Sequence, residues 1–117
     1  MTLALNTPPL TKLILQHEGA LLICAPQAPV IASNVPDMRL QLAQAMEAEP
    51  HWDQLILACH AIERIDSIGI NWVVSLFKKA TALNKQFKMT GCKSLVLDSL
   101  HLFRLDQQFT VEGLDDA

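Results

Sequence analysis

Between two stretches of helical periodicity the chain carries QLILACH, residues 54–60. This apolar run is too short for a helix and has polar residues on both sides. It reads as a central β-strand, covered on both faces or on one face and an edge. A strand of that kind needs hydrogen-bonding neighbours, and the rest of the chain supplies candidates at regular intervals. LTKLILQHEGALLICAP holds two short apolar segments separated by His17, Glu18 and Gly19, and a glycine between two such runs predicts a hairpin. QFKMTGCK alternates Phe87, Met89 and Gly91 against Lys88 and Thr90, and FTVEG closes the chain as another short strand. QAPVIASN, with Pro26 before it and Pro29 within it, reads as an irregular crossing with at most a short edge strand around Val30 to Ala32.

The intervening segments have a different period. In NVPDMRLQLAQAMEAEP, Asn34 is the capping candidate, Pro36 and Asp37 suit a first turn, and Pro50 is a stop. Met38, Leu42, Ala45 and Met46 recur at three- and four-residue steps, as on an amphipathic helix. After the loop AIER, a second helix runs from about Ile68 to Leu83, with Ile70, Val73, Val74, Phe77 and Ala80 on one arc as its core face. SLVLDSLHLFRL forms a third, with Ser94 as its cap. Hairpin, helix, strand, helix, strand, helix, strand predicts a single α/β domain: a mixed, mainly parallel sheet of four to five strands with about three main helices, since parallel neighbours need crossovers of this length.

A length of 117 residues, 50% hydrophobic and 18% charged, suits one compact core rather than two or a disordered chain. The net charge of -3 disfavours a nucleic-acid surface, which needs clustered cations. Lys78, Lys79, Lys85 and Lys88 read as a solvated face. The first residues lack a secretory leader, and no apolar run approaches the roughly 20 residues that span a bilayer, so a cytoplasmic protein without membrane insertion is expected. Cys24, Cys59 and Cys92 have no metal-type spacing and read as reduced core thiols. His17, His51, His60 and His101 are scattered, and nothing supports a cofactor or a metal. Cys59 beside His60 does not make a nucleophile and base, because adjacent strand residues point to opposite faces.

LILACH followed by IDSIG, then GINWVVSLFKKA, FKMTGCK and LHLFRLDQQFTV, resembles the STAS domain family, which includes the anti-sigma factor antagonists of bacterial partner-switching systems. The resemblance spans roughly residues 10 to 113, with the domain placed at 10–117 and a leader at 1–9. It implies a non-enzymatic regulatory module that binds a protein partner. In such antagonists the strand-to-helix motif usually reads Asp-Ser-Ser-Gly, and its second hydroxyl is phosphorylated by a kinase that is also the anti-sigma factor. Phosphate at a helix start gains from the amides and dipole there while changing the local charge by nearly two units. In this chain the acceptor position is Ile68, which cannot be phosphorylated, and the polar residue often found at the end of the preceding strand corresponds to Ala58. A glycine that often ends the third helix appears as Arg104, which disfavours a left-handed cap there.

The resemblance assigns partner binding to Asp66, Ser67, Ile68, Gly69 and Trp72. Asp66 either orients a hydroxyl and shapes the partner surface or simply accepts amide hydrogens at the helix entrance. Ser67 is read as a cap, with a surrogate phosphate acceptor as the competing role. Gly69 permits close packing of backbone and is not a phosphate loop. Ile68 and Trp72 lie four apart, off the core arc, and Leu76 and Leu83 extend that ridge. The ridge packs beneath a neighbouring helix or meets a partner, in which case Trp72 is the natural anchor. Three functions are in view: an antagonist-like module docking on an anti-sigma factor kinase, an accessory subunit resting on the ATPase of an ABC-type lipid transporter, and a self-associating structural module whose ridge makes a homodimer.

Overall fold

The computed structural model describes residues 12–114. β1 (Leu13–Glu18) and β2 (Leu21–Pro26) form the hairpin, and β3 (Gln54–Ala58), β4 (Gln86–Cys92) and β5 (Thr110–Gly113) follow in the order β1-β2-β3-β4-β5. The β1 and β2 pair is antiparallel and every later pair is parallel. Three helices make the crossovers: α1 (Val35–Ala48), α2 (Ser67–Ala82) and α3 (Ser94–Leu102). A short 3-10 turn, Leu105–Gln107, precedes β5. Gly19 turns the hairpin at φ 58°, a backbone region in which a Cβ would be strained.

Each parallel strand is added on the same side of its predecessor, so right-handed crossovers carry all three helices to one face of the sheet. Burial alternates accordingly. Leu22 and Cys24, Leu55 and Leu57, and Phe87 and Met89 are buried toward the helices, while Ile23, Ile56 and Lys88 on the other face are half-buried. The central run at 54–58 is therefore covered on one face and flanked by strands on both edges. Its outward Ile56 draws only partial shelter from in-sheet neighbours.

α1 buries Val35, Met38 and Leu42, and α2 buries Ile70, Val73 and Ala80, with Val74 and Phe77 packed at the core margin. Phe109 joins α2 to β4, 5.2 Å from Phe77 and 4.8 Å edge-on to Phe87. Complete burial of side chains this size contributes about 1.5–3 kcal/mol each.

The starts of α1 and α3 differ from expectation. Asn34 occupies the cap position of α1, but its side-chain amide donates to the Pro29 carbonyl at 2.8 Å instead of accepting from the helix. Lys93, not Ser94, caps α3, with Ser94 as its first helical residue. Arg104 takes the left-handed conformation at φ 59°, so the turn after α3 survives without the glycine. Among the described residues no helix is long and apolar enough to cross a membrane.

Candidate functional site

The corner between β3 and α2 lies at the carboxyl ends of the parallel strands, where α/β sheets open toward ligands and partners. β3 ends at Ala58, a loop runs through Ile62 to Ile65, and Val30 pairs with Ile65 in an isolated parallel bridge. This single bridge lies outside the five-stranded sheet, so the short edge strand expected around Val30 to Ala32 is reduced to one paired residue. The Val30 amide donates to the Arg64 carbonyl at 3.0 Å, and the Asp66 amide donates to the Val30 carbonyl at 3.2 Å. The segment before α1 is thus fastened to the entrance of α2.

Asp66 is the cap of α2, in extended conformation at φ -106° and ψ -174°. Its Oδ1 accepts from the Gly69 amide at 2.8 Å and its Oδ2 from the Ala32 amide at 2.9 Å. Partial burial raises the pKa of this carboxyl, but the amides of Gly69, Ala32, Ile68 and Asp66 itself outweigh that, and the net direction is down. Both oxygens are engaged by backbone, which is the helix-entrance role with a second, long-range tie to residue 32. The cap falls to Asp66 and not to Ser67, which is the first helical residue and is exposed.

Gly69 has a steric reason. A Cβ there would sit 2.1 Å from the Val30 carbonyl oxygen and 2.8 Å from side-chain atoms of Ile65 and Val30. The first turn of α2 therefore approaches backbone more closely than any other residue allows.

Ile68 and Trp72 part company. Ile68 is 43% exposed at the second helical position, whereas Trp72 is 1% exposed. Trp72 and Leu76 join the core beneath α1, lining the α1–α2 groove with Leu42 and Met46. Trp72 cannot serve as the exposed anchor of a partner or homodimer interface. An indole that lies off the sheet-facing arc still becomes buried when a second helix covers that side. Of the expected ridge, Ile68 and Leu83 remain exposed, at opposite ends of α2. The structure brings Asp66, Ser67, Ile68 and Gly69 together at one corner, with Ile68 the apolar group it offers to solvent.

Beside the corner lies a cleft of about 660 Å³, walled by the 31–33 segment, residues 63–66 and α3 through Leu95, Asp98 and Ser99. α3 leaves Leu95, Leu102 and the following Phe103 exposed, which sequence reasoning missed. The available signal was SLVLDSLHLF itself, apolar around nearly its whole circumference although one side of a surface helix must face water.

The three thiols are free and buried. Burial pushes Cys24 up to about 12, and the neighbouring Cys92 side chain together with burial raises Cys59. Cys59 and His60 lie just beyond the end of β3, where Cys59 is buried and His60 is exposed with its ring over Gly91, so the two side chains diverge. Among the described residues no group of three or more His, Cys, Asp or Glu is placed to hold a metal.

The model of one family, the STAS domain, matches residues 12–117. A crystal structure of a Thermotoga maritima protein proposed to be an anti-sigma factor antagonist superposes with a TM-score of 0.74 at 17% identity, covering 86% of this chain and 85% of that one. That likeness is one of fold. No curated protein matches the sequence.

Proposed function

Because the chain belongs to the STAS domain family, we propose that it is a non-enzymatic protein-binding module of the anti-sigma factor antagonist type, held permanently in the unphosphorylated form. The observation that carries this reading is Ile68. It stands at the second position of α2, where the family's acceptor hydroxyl is expected, and is 43% exposed beside an amide-saturated Asp66. A phosphate could not be attached there. A branched hydrocarbon in its place adds apolar contact at a point where the modified family member would carry two negative charges. A partner that recognises the unmodified corner would then be bound without a chemical switch on this chain. The anti-sigma factor kinases that antagonists bind are the partner class this favours.

Ser67, exposed one residue earlier, is the only hydroxyl on the motif. The decisive measurement is the intact mass of the chain after incubation with its cognate kinase and ATP. An unchanged mass together with a stable complex is expected, and a phosphate located on Ser67 would overturn the constitutive reading. Affinity capture from the native host separates the transporter role: a GHKL-type kinase or sigma regulator supports the present reading, whereas an ATPase with its permease replaces it.

A further inference from the structure

The corner uses none of the three thiols, and two of them stand together. Leu55 and Leu57 point from β3 toward the helices, and Cys59, just beyond the end of the strand, is buried as they are. In β4, Phe87 and Met89 point inward while Lys88 and Thr90 stay half-buried on the other face, so unbroken alternation would send Cys92 outward with them. It is buried instead. The register shifts between Met89 and Cys92, and Gly91 within that step takes φ 66°. One residue absorbed in such an irregularity moves the next side chain to the opposite face. The Cys92 thiol thereby reaches that of Cys59, and the two side chains share a hydrogen bond.

The backbone fixes this approach. Ala58 stands opposite Thr90, and the Cys59 amide donates to the Thr90 carbonyl at 2.8 Å, which sets residue 59 against the step from Gly91 to Cys92. Neighbouring strands lie about 4.8 Å apart, inside the Cα separation of about 4.4–6.8 Å that a disulfide spans. Cys24 differs. It is in register with Leu57, two residues before Cys59, and burial alone pushes its thiol up to about 12. Cys92 moves the other way, because the Cys59 S–H donates to its sulfur and outweighs burial. The pair therefore divides into a donor and a nucleophile.

We propose that Cys59 and Cys92 are a reversible oxidation site, joined as a disulfide by hydrogen peroxide. The Cys92 thiolate attacks one peroxide oxygen, the O–O bond breaks, and the departing hydroxide takes a proton to leave as water. The sulfur of Cys59 then attacks the resulting sulfenic acid. The S–O bond breaks, the S–S bond forms, and the hydroxyl leaves with the Cys59 proton as a second water. Two thiols and one peroxide thus give one disulfide and two waters, each sulfur losing one electron. A thiol reductant reverses the step by exchange. The sulfurs are 0% and 1% exposed, which shuts out bulky oxidants such as glutathione disulfide. Peroxide is small and uncharged, and it enters by local opening at the exposed turn of His60 and Ala61. The bond closes a loop over residues 59–92 that contains the Asp66 corner and all of α2, so it removes freedom from the unfolded chain while leaving the folded corner as it is.

The test treats the native chain with hydrogen peroxide and follows intact mass, a non-reducing peptide map and thermal melting. The expected result is a mass lower by two hydrogens, a Cys59–Cys92 linkage, and a melting temperature raised by about 5 °C or more. Dithiothreitol returns all three to the starting values. Cys24→Ser forms the same bond, and glutathione disulfide forms it far more slowly than peroxide. Cys92→Ser gains neither the bond nor the rise in melting temperature, and its melt before oxidation reports that it is folded. The map of the parent chain decides the matter even if that variant does not fold. An unchanged mass, added oxygen without a linkage, a bond through Cys24, or a bond that forms only in urea would overturn the proposal.

Discussion

The Asp66 carboxylate is held from two directions, by the Gly69 amide three residues ahead and by the Ala32 amide 34 residues behind. Its folded pKa lies below the unfolded value of about 3.9, so the stability it contributes is present above that pH and is lost as the pH falls through the folded value. Asn at this position keeps one acceptor oxygen where the carboxylate has two. Asp66→Asn loses one of the two amide bonds and is therefore expected to be less stable than the parent by about 1 kcal/mol at pH 7. The gap should shrink below about pH 4. Urea unfolding at pH 7 and pH 3 checks this, and a gap that ignores pH would refute it. Arg104 illustrates the opposite situation, a residue retained in a conformation that its Cβ disfavours. Its amide donates to His101 at 2.9 Å and its carbonyl accepts from Gln107 at 3.2 Å, so the backbone bonds around the turn hold φ at 59°. Arg104→Gly relieves that strain while gaining freedom in the unfolded chain, and a net stabilisation of about 0.5–1 kcal/mol is expected as a higher melting temperature.

At the scale of elements, α2 has two apolar faces, one turned to the sheet and one to α1. Helical periodicity identifies the first arc, and Ile70, Val73 and Ala80 are buried as that arc requires, but the same arithmetic leaves Trp72 outside it. α1 covers that side, and so Trp72 and Leu76 are core. Truncation of so large a buried side chain leaves a cavity. Trp72→Ala is expected to lose about 3–5 kcal/mol, a large part of the stability of a domain this size, with no selective effect on association. Calorimetry with light scattering distinguishes this from an interface defect, which would leave the melting temperature unchanged. α3 shows the converse, since its composition suits burial and its position leaves Leu95, Leu102 and Phe103 in water.

For the whole molecule, a sheet whose strands follow chain order concentrates protection at its centre. β3 is paired on both sides, by β2 and β4, whereas among the described residues β1 and β5 have one neighbour each. Hydrogen exchange is expected to be slowest at the amides of Leu55, Ile56 and Leu57 and faster by orders of magnitude in β5. Uniform protection across the five strands would contradict this. The architecture was legible in the residues: the glycine hairpin, the short apolar run at 54–58 and the helical steps from Met38 to Met46 are all local, and local pattern decides strand and helix. Three features depended on segments far apart in the chain. Ala32 reaches Asp66, α1 lies over Trp72, and α3 sits at the margin with its leucines outward. A period specifies which residues share a face, but which faces are covered depends on what packs against them, and only the assembled helices and sheet determine that.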